Sequence, residues 1–198
     1  MSRFRFHNVM TLATVGAAAL VLGIQINCSA QDQDKTQDKA PGKVAVATLE
    51  PSKAATTQPA NNNVTGTVTF TAMPDGKVKI VANLTGLAPN TEHGIHIHEK
   101  PDLSAPDLMS TGGHYNPDKH VHGGPSTSPV HAGDFGNIKA DAQGNAVLEL
   151  TVDNITLGGD HNNVIGLPVI VHAKPDDMKS QPSGNSGARV AGGLIEAR

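Results

Sequence analysis

The segment 64–70 reads Val-Thr-Gly-Thr-Val-Thr-Phe, so its apolar residues recur at every second position. This is the period of a β-strand with one buried face. Residues 73–76, Met-Pro-Asp-Gly, are typical of a tight turn. Residues 77–84 then alternate again, with Val78 and Ile80 on one face. The pattern predicts two antiparallel strands joined by a turn.

The same period continues along the chain, and no segment keeps a helical period over three turns. Eight strands are predicted, over residues 43–49, 64–71, 77–85, 94–99, 135–140, 145–152, 167–172 and 189–196. We therefore expect an all-β fold, an eight-stranded Greek-key β-sandwich or flattened barrel. Two polar stretches, 100–134 and 173–188, are too long for ordinary connections and are predicted to be functional loops.

The N-terminal residues 1–30 have the pattern of a secretory signal. Arg3 and Arg5 precede an apolar run from Leu12 to Ile26, and Cys28-Ser29-Ala30 offers small residues for cleavage. The run is short for a membrane span. The alternative is a lipoprotein in which a lipid on Cys28 anchors the protein to a membrane. In both cases we expect an exported protein, periplasmic or extracellular, in an oxidising compartment.

Composition separates the rest of the chain into a linker and a domain. Residues 31–42 are polar and lack any apolar period, so they are predicted to be a solvated linker before a domain at 43–198. The 15 Lys and Arg residues against 18 Asp and Glu residues give a net charge of −3. A nucleic-acid partner is therefore not expected.

Histidines mark the candidate chemistry of the domain. His96 and His98 point to the same face of an extended segment, so their rings can meet one ion. His172, on another predicted strand, adds a third nitrogen, and such a set suits copper. A second set lies in one predicted loop and suits zinc, namely His114, His122, His131 and Asp134. The other histidines of the domain, His93, His120 and His161, are interpreted as structural or surface residues.

Six motifs, in this order and spacing, resemble the copper/zinc superoxide dismutase family over about residues 43–198. They are Gly94-Ile95-His96-Ile97-His98-Glu99, Gly113-His114-Tyr115-Asn116-Pro117, His122-Gly123-Gly124-Pro125, His131-Ala132-Gly133-Asp134-Phe135-Gly136-Asn137, Val171-His172-Ala173-Lys174-Pro175-Asp176-Asp177 and Gly184-Asn185-Ser186-Gly187-Ala188-Arg189. With its export signal, the chain resembles the bacterial exported type of the family. The resemblance implies dismutation of superoxide to dioxygen and hydrogen peroxide by a copper redox cycle, with structural zinc.

The resemblance also implies roles for single residues. His114 would bind both metals and carry a proton during turnover, which spacing alone does not show. Asp176 would accept hydrogen bonds from His96 and His122, and Arg189 would guide the superoxide anion to copper. The implied copper ligands are His96, His98, His114 and His172, and the implied zinc ligands are His114, His122, His131 and Asp134. A homodimer is one option for the assembly.

One feature departs from the family pattern. Cys28 is the only cysteine, whereas family members normally tie the long metal loop to the last strand with a disulfide, here by alignment at Leu103 and Gly192. We expect Leu103 to be largely buried against Gly192 as an apolar substitute. The departure keeps a second function open, a non-catalytic copper-binding or copper-storage domain on the same fold.

Overall fold

A computed structural model describes residues 42–54 and 63–198. The predicted signal at 1–30, with Cys28, lies outside the described residues, as does the predicted linker except its last residue, Gly42. In the described ranges, no helix is long and apolar enough to cross a membrane.

The described chain contains eight β-strands, and every segment predicted as a strand is one. Their bounds are β1 Val44–Pro51, β2 Thr65–Ala72, β3 Val78–Thr85, β4 Glu92–Ile97, β5 Asp134–Lys139, β6 Ala146–Val152, β7 Pro168–His172 and β8 Arg189–Ala197. A short 3₁₀ helix, Met109–Thr111, lies between β4 and β5. The alternating pattern therefore located each strand to within a few residues.

The strands form one antiparallel sheet in the order β5-β4-β7-β8-β1-β2-β3-β6. The two outermost strands, β5 and β6, are consecutive in the chain, and a bridge between Ala140 and Ala146 joins them beside the turn at 141–145. Because the sheet curls until its first and last strands meet, it forms a flattened barrel. The predicted all-β fold class is confirmed.

The inside of the barrel is apolar, and this decides where the histidines point. Ile95 and Ile97 of β4 and Val169 and Val171 of β7 belong to the hydrophobic core. Because side chains alternate across a strand, His96, between the two isoleucines, faces the outside of the barrel. His96 is nevertheless fully buried. The two long loops, the β4–β5 loop (98–133) and the β7–β8 loop (173–188), cover this face.

Apolar packing and hydrogen bonds attach the β4–β5 loop to the barrel. Ser52, next to the end of β1, donates its hydroxyl hydrogen to the Pro106 carbonyl at 2.8 Å. A Cβ placed on Gly192 would lie 3.1 Å from Leu108 Cδ1 and 3.4 Å from Leu103 Cδ2. Leu103 is therefore near Gly192, as expected, and it is partly buried rather than exposed. Leu108, which is 7% exposed, is the buried leucine at this contact.

Candidate metal centre

Four histidines meet on the outer face of β4 and β7. His96 lies in β4, His98 follows directly, His172 ends β7, and His114 comes from the β4–β5 loop. Each offers one nitrogen such that all four ligand atoms lie within 4.8 Å of one another. The Nε2 atoms of His98 and His172 are 3.3 Å apart. We call these four residues the copper cluster, after the metal that the set suits.

A second group lies beside it and consists of His114, His122, His131 and Asp134, whose ligand atoms are again within 4.8 Å of one another. We call it the zinc cluster. His114 belongs to both groups and lies between them, with its ring stacked on that of His96 at a centroid distance of 3.9 Å. Its Nδ1 is 2.8 Å from Asp134 Oδ1. Every residue named as a ligand from the sequence is therefore in one of the two clusters.

The non-ligand nitrogens of the rings are held by the surrounding chain. In the copper cluster, Nδ1 of His98 donates to the Gly112 carbonyl at 3.0 Å, and Nδ1 of His172 donates to the Gly187 carbonyl at 3.2 Å. The two carboxylate oxygens of Asp176 lie 2.8 Å from Nε2 of His96 and 2.9 Å from Nε2 of His122. Asp176 therefore orients one histidine of each cluster. Contacts of this kind determine the tautomer that a metal-binding imidazole adopts.

Four of the nitrogens that face the cluster centres lack hydrogen-bond partners. His96 Nδ1, His114 Nε2, His122 Nδ1 and His131 Nδ1 are buried without a hydrogen bond. His122 Nδ1 is 3.0 Å from Asp134 Oδ2, but the two atoms are not aligned for a hydrogen bond. Buried polar atoms are nearly always paired. Four unpaired nitrogens converging on two points fit two bound cations, and the donor sets suit copper and zinc.

The electrostatics of the two clusters differ. Burial lowers the pKa of His96 to about 4 and lowers the pKa values of His98 and His172 well below the usual range. Burial also acts to lower the pKa of His122, but the carboxylates of Asp134 and Asp176 outweigh it and raise this pKa to about 9. Hydrogen bonds with the histidines hold the pKa of Asp134 far below its usual value, against the effect of burial. The zinc cluster therefore retains a proton that a metal must displace, whereas the rings of His96, His98 and His172 are neutral at pH 7.

Arg189 lies at the start of β8 and faces the copper cluster. Its Nη1 donates to the Leu108 carbonyl at 2.6 Å and to the Thr111 hydroxyl at 2.7 Å, and its Nη2 donates to the Gly112 carbonyl at 2.6 Å. A cavity of about 570 Å³ is lined by Arg189 together with His98, His114 and His172. Burial lowers the pKa of Arg189, yet an arginine stays charged in proteins. A fixed cation therefore stands in the cavity that leads to the copper cluster.

Two amide side chains that position the clusters were not recognised from the sequence. Asn137 accepts from the main-chain N–H of Asp176 at 2.7 Å and donates to its carbonyl at 2.9 Å. Gln181 forms the same pair of bonds with the main chain of His122, at 2.8 and 3.0 Å. Both contacts join residues distant in sequence, so spacing gives no sign of them.

The three histidines interpreted as non-ligands lie outside both clusters. His93 is buried, and its Nδ1 is 2.8 Å from the main-chain carbonyl of His172. His120 bonds through Nδ1 to the Val130 carbonyl at 3.1 Å, and His161 is an exposed neighbour of Asp118. His93 thus supports the main chain of a copper-cluster residue.

Comparison with known proteins agrees with this geometry. A crystal structure of the clock protein EA4 is 37% identical in sequence to this chain, with a TM-score of 0.67 over 79% of this chain and 96% of that one. The family model for copper/zinc superoxide dismutase (SODC) matches residues 64–195, which include both clusters and Arg189. On this match, and as the motifs predicted, the chain belongs to the copper/zinc superoxide dismutase family.

Proposed function

We propose that this protein is an enzyme that dismutes superoxide to dioxygen and hydrogen peroxide. The observation that carries the proposal is the placement of Arg189 in one cavity with His98, His114 and His172. A half-buried cation at a histidine cluster suits a small anionic substrate that must approach a metal. Family membership points to the same substrate.

The ligand sets of the proposal follow the two clusters. His96, His98, His114 and His172 would hold copper, and His114, His122, His131 and Asp134 would hold zinc. Copper supplies the one-electron couple that dismutation needs, and zinc, which has no redox chemistry, supplies a fixed charge and holds the loop. The unpaired, buried nitrogens of both clusters support this assignment.

Arg189 and His114 are the proposed catalytic residues. Three hydrogen bonds hold the guanidinium of Arg189, so it can bind and orient an anion without first losing its own rotational freedom. His114 Nε2 is buried and unpaired, while its Nδ1 stays beside Asp134. We propose that Nε2 takes up and releases one proton in each cycle, with the ring held in place through Nδ1.

The second candidate is a non-catalytic copper-binding or copper-storage domain. Two observations keep it open: one similar solved structure is described as a clock protein, and the single Cys28 cannot form the disulfide usual in the family. Arg189 argues against storage, because a metal store has no use for a fixed cation in the cavity beside its metal.

The test is an assay of protein loaded with one copper and one zinc, using xanthine oxidase to make superoxide and cytochrome c to detect it. We expect inhibition of cytochrome reduction that depends on protein concentration and falls as salt is added, because steered association weakens with ionic strength. Arg189→Ala should keep both metals, react more slowly and lose part of the salt dependence. If the wild-type protein loaded with copper and zinc has no activity, the dismutase proposal is wrong and the copper-storage function is favoured.

We also propose export to the periplasm or the extracellular space, on the basis of residues 1–30. Cell fractionation and mass analysis of the mature N-terminus would distinguish cleavage near Ala30 from lipidation of Cys28. Retention of residues 1–30 on the protein in the cytoplasm would contradict export. Sedimentation of the mature protein would decide between a monomer and a homodimer.

A further inference from the structure

Thr111 lies between the guanidinium of Arg189 and a histidine of the copper cluster. It ends the 3₁₀ helix Met109–Thr111 in the β4–β5 loop and is completely buried. Its hydroxyl oxygen is 2.7 Å from Arg189 Nη1 and 3.3 Å from His98 Nδ1. No other side-chain hydroxyl in the described ranges 42–54 and 63–198 is recorded in contact with both of these residues.

The hydrogen-bond capacity of this hydroxyl is fully used. A threonine hydroxyl has one hydrogen to donate and two lone pairs to accept. The Thr111 hydroxyl donates to the Leu108 carbonyl at 2.9 Å and accepts from Arg189 at 2.7 Å. His98 Nδ1 must carry a hydrogen, because it also lies 3.0 Å from the Gly112 carbonyl, which cannot donate. The single N–H on His98 Nδ1 is therefore shared between the Gly112 carbonyl at 3.0 Å and the second lone pair of Thr111 at 3.3 Å.

The same bonds determine how much of the guanidinium is free for an anion. An arginine has five N–H groups. The two on Nη1 are used by the Leu108 carbonyl and the Thr111 hydroxyl, and one on Nη2 is used by the Gly112 carbonyl. One hydrogen on Nη2 and the hydrogen on Nε are left. Without the Thr111 hydroxyl, one Nη1 hydrogen would lose its hydrogen-bond partner and the guanidinium could rotate.

We propose that Thr111 is a positioning residue that holds the Arg189 guanidinium and the His98 ring in one rigid unit, so that the anion-binding group keeps a fixed direction relative to copper. The inference rests on the proposed function for its biological meaning. Thr111 touches neither substrate nor metal in this role. It acts through Arg189 and His98, which places its effect on anion binding and on the copper ligand field.

Three variants separate positioning from packing. Thr111→Val keeps the shape of the side chain and removes the hydroxyl, whereas Thr111→Ser keeps the hydroxyl and removes the methyl group. The matched control is Ser110→Ala in the same 3₁₀ helix. The Ser110 hydroxyl donates to the Asp102 carbonyl at 2.7 Å and touches neither Arg189 nor His98.

The measurement is the affinity of the copper- and zinc-loaded protein for azide, followed by its visible absorption band, together with the Cu(II) electron paramagnetic resonance spectrum. We expect Thr111→Val to weaken azide binding by roughly fivefold or more, since it removes a bond to a charged donor. Its spectrum should shift at unchanged metal content. Thr111→Ser and Ser110→Ala should match the wild type. Wild-type azide affinity and spectrum in Thr111→Val would overturn the proposal, as would equal losses in the serine variant.

A second readout needs neither copper nor a stable variant. The wild-type protein is loaded with zinc alone, and the Arg189 side chain is observed by ¹⁵N nuclear magnetic resonance. We expect slow rotation about the Cζ–Nη bonds and slow exchange of the Nη1 hydrogens with water. Freely rotating, rapidly exchanging Nη1 hydrogens would overturn the proposal even if Thr111→Val fails to fold. None of these readouts requires turnover. A loaded wild type without dismutase activity would therefore refute the proposed function and leave the positioning role of Thr111 to be decided by azide and resonance data.

Discussion

The copper cluster and the zinc cluster share His114, yet they are built on different supports. Of the other copper-cluster residues, His96 and His172 lie in strands and His98 directly follows one, whereas His122 and His131 lie in the β4–β5 loop. The second nitrogens of His98 and His172 are held by main-chain carbonyls. The zinc cluster contains one carboxylate, Asp134, which lies close to all three of its histidines, and its His122 also contacts Asp176.

The difference has an electrostatic consequence. Burial keeps the histidines of the strands neutral, with the pKa of His96 at about 4. The carboxylates raise the pKa of His122 to about 9. The strand histidines of the copper cluster are therefore neutral without a metal. In the zinc cluster, the protonated His122 is attracted to the carboxylates, and a metal that binds there must displace its proton.

The largest expected effect comes from removing one ligand from each half. Asp134→Asn should lower zinc affinity by more than about 100-fold, because losing only an orienting contact already costs up to that much. His172→Gln should do the same to copper. Each variant should leave the other metal within a few-fold of wild type, measured by competition with chelators. Loss of both metals in both variants would mean that the copper cluster and the zinc cluster do not bind their metals separately.

Packing under the loop should have the next largest effect. Leu108→Ala is expected to lower the free energy of unfolding of the metal-free protein by about 2–4 kcal/mol, the range for a buried leucine. Leu103→Ala is the matched control and should cost less, because Leu103 is less completely buried than Leu108. Urea unfolding gives both values. A larger loss for Leu103→Ala would contradict the assignment of Leu108 as the main anchor.

The variant Asp176→Asn tests how strongly metal binding at the copper cluster and at the zinc cluster is coupled. Asp176 contacts both His96 and His122, so the variant should weaken copper and zinc together, each by about 10- to 100-fold. The neighbouring Asp177→Asn is the control, because Asp177 hydrogen-bonds within its own loop to Ser180 and Asn185. If only zinc were weakened by Asp176→Asn, the orientation of His96 would not depend on this carboxylate.

The smallest and most specific effect concerns pH. Since the pKa of His122 is raised to about 9, zinc must displace its proton below that pH, and zinc affinity should rise by about tenfold per unit between pH 7 and pH 9. The copper affinity of the cluster that contains His96, His98 and His172 should depend much less on pH, because these rings are already neutral. The protonated His122 also stabilises the metal-free protein at low pH, a contribution that is lost as pH rises through about 9. If zinc and copper affinity depended equally on pH, the two clusters would not differ in protonation as proposed.

Much of the fold was predictable because its signal is local. Alternation along 64–70 and 77–84 follows from the pleat of a strand with one buried face, and the turn residues at 73–76 report backbone conformation directly. The meeting of His96 and His98 in one cluster was predictable for the same reason, since the two-residue period places them on one face.

Contacts between distant segments were not predictable in this way. Leu103 was expected to replace the disulfide, but Leu108 packs more deeply on Gly192. Both leucines lie in a polar loop without a period, so no sequence rule separates them. Thr111, Asn137 and Gln181 were missed because a polar residue in a loop reveals a role only when its partner is known.

The sequence by itself determined the eight strands and the family, because strand alternation and motifs depend on residue type and short spacing, and the resemblance supplied the two candidate sets of ligand residues. Only the tertiary structure decided which nitrogen of each ring faces the centre of its cluster and which groups hold the guanidinium of Arg189. Those choices depend on hydrogen bonds such as that of Arg189 with the Leu108 carbonyl, which joins residues 81 positions apart. Such bonds exist only after the barrel has brought β4, β7 and β8 together.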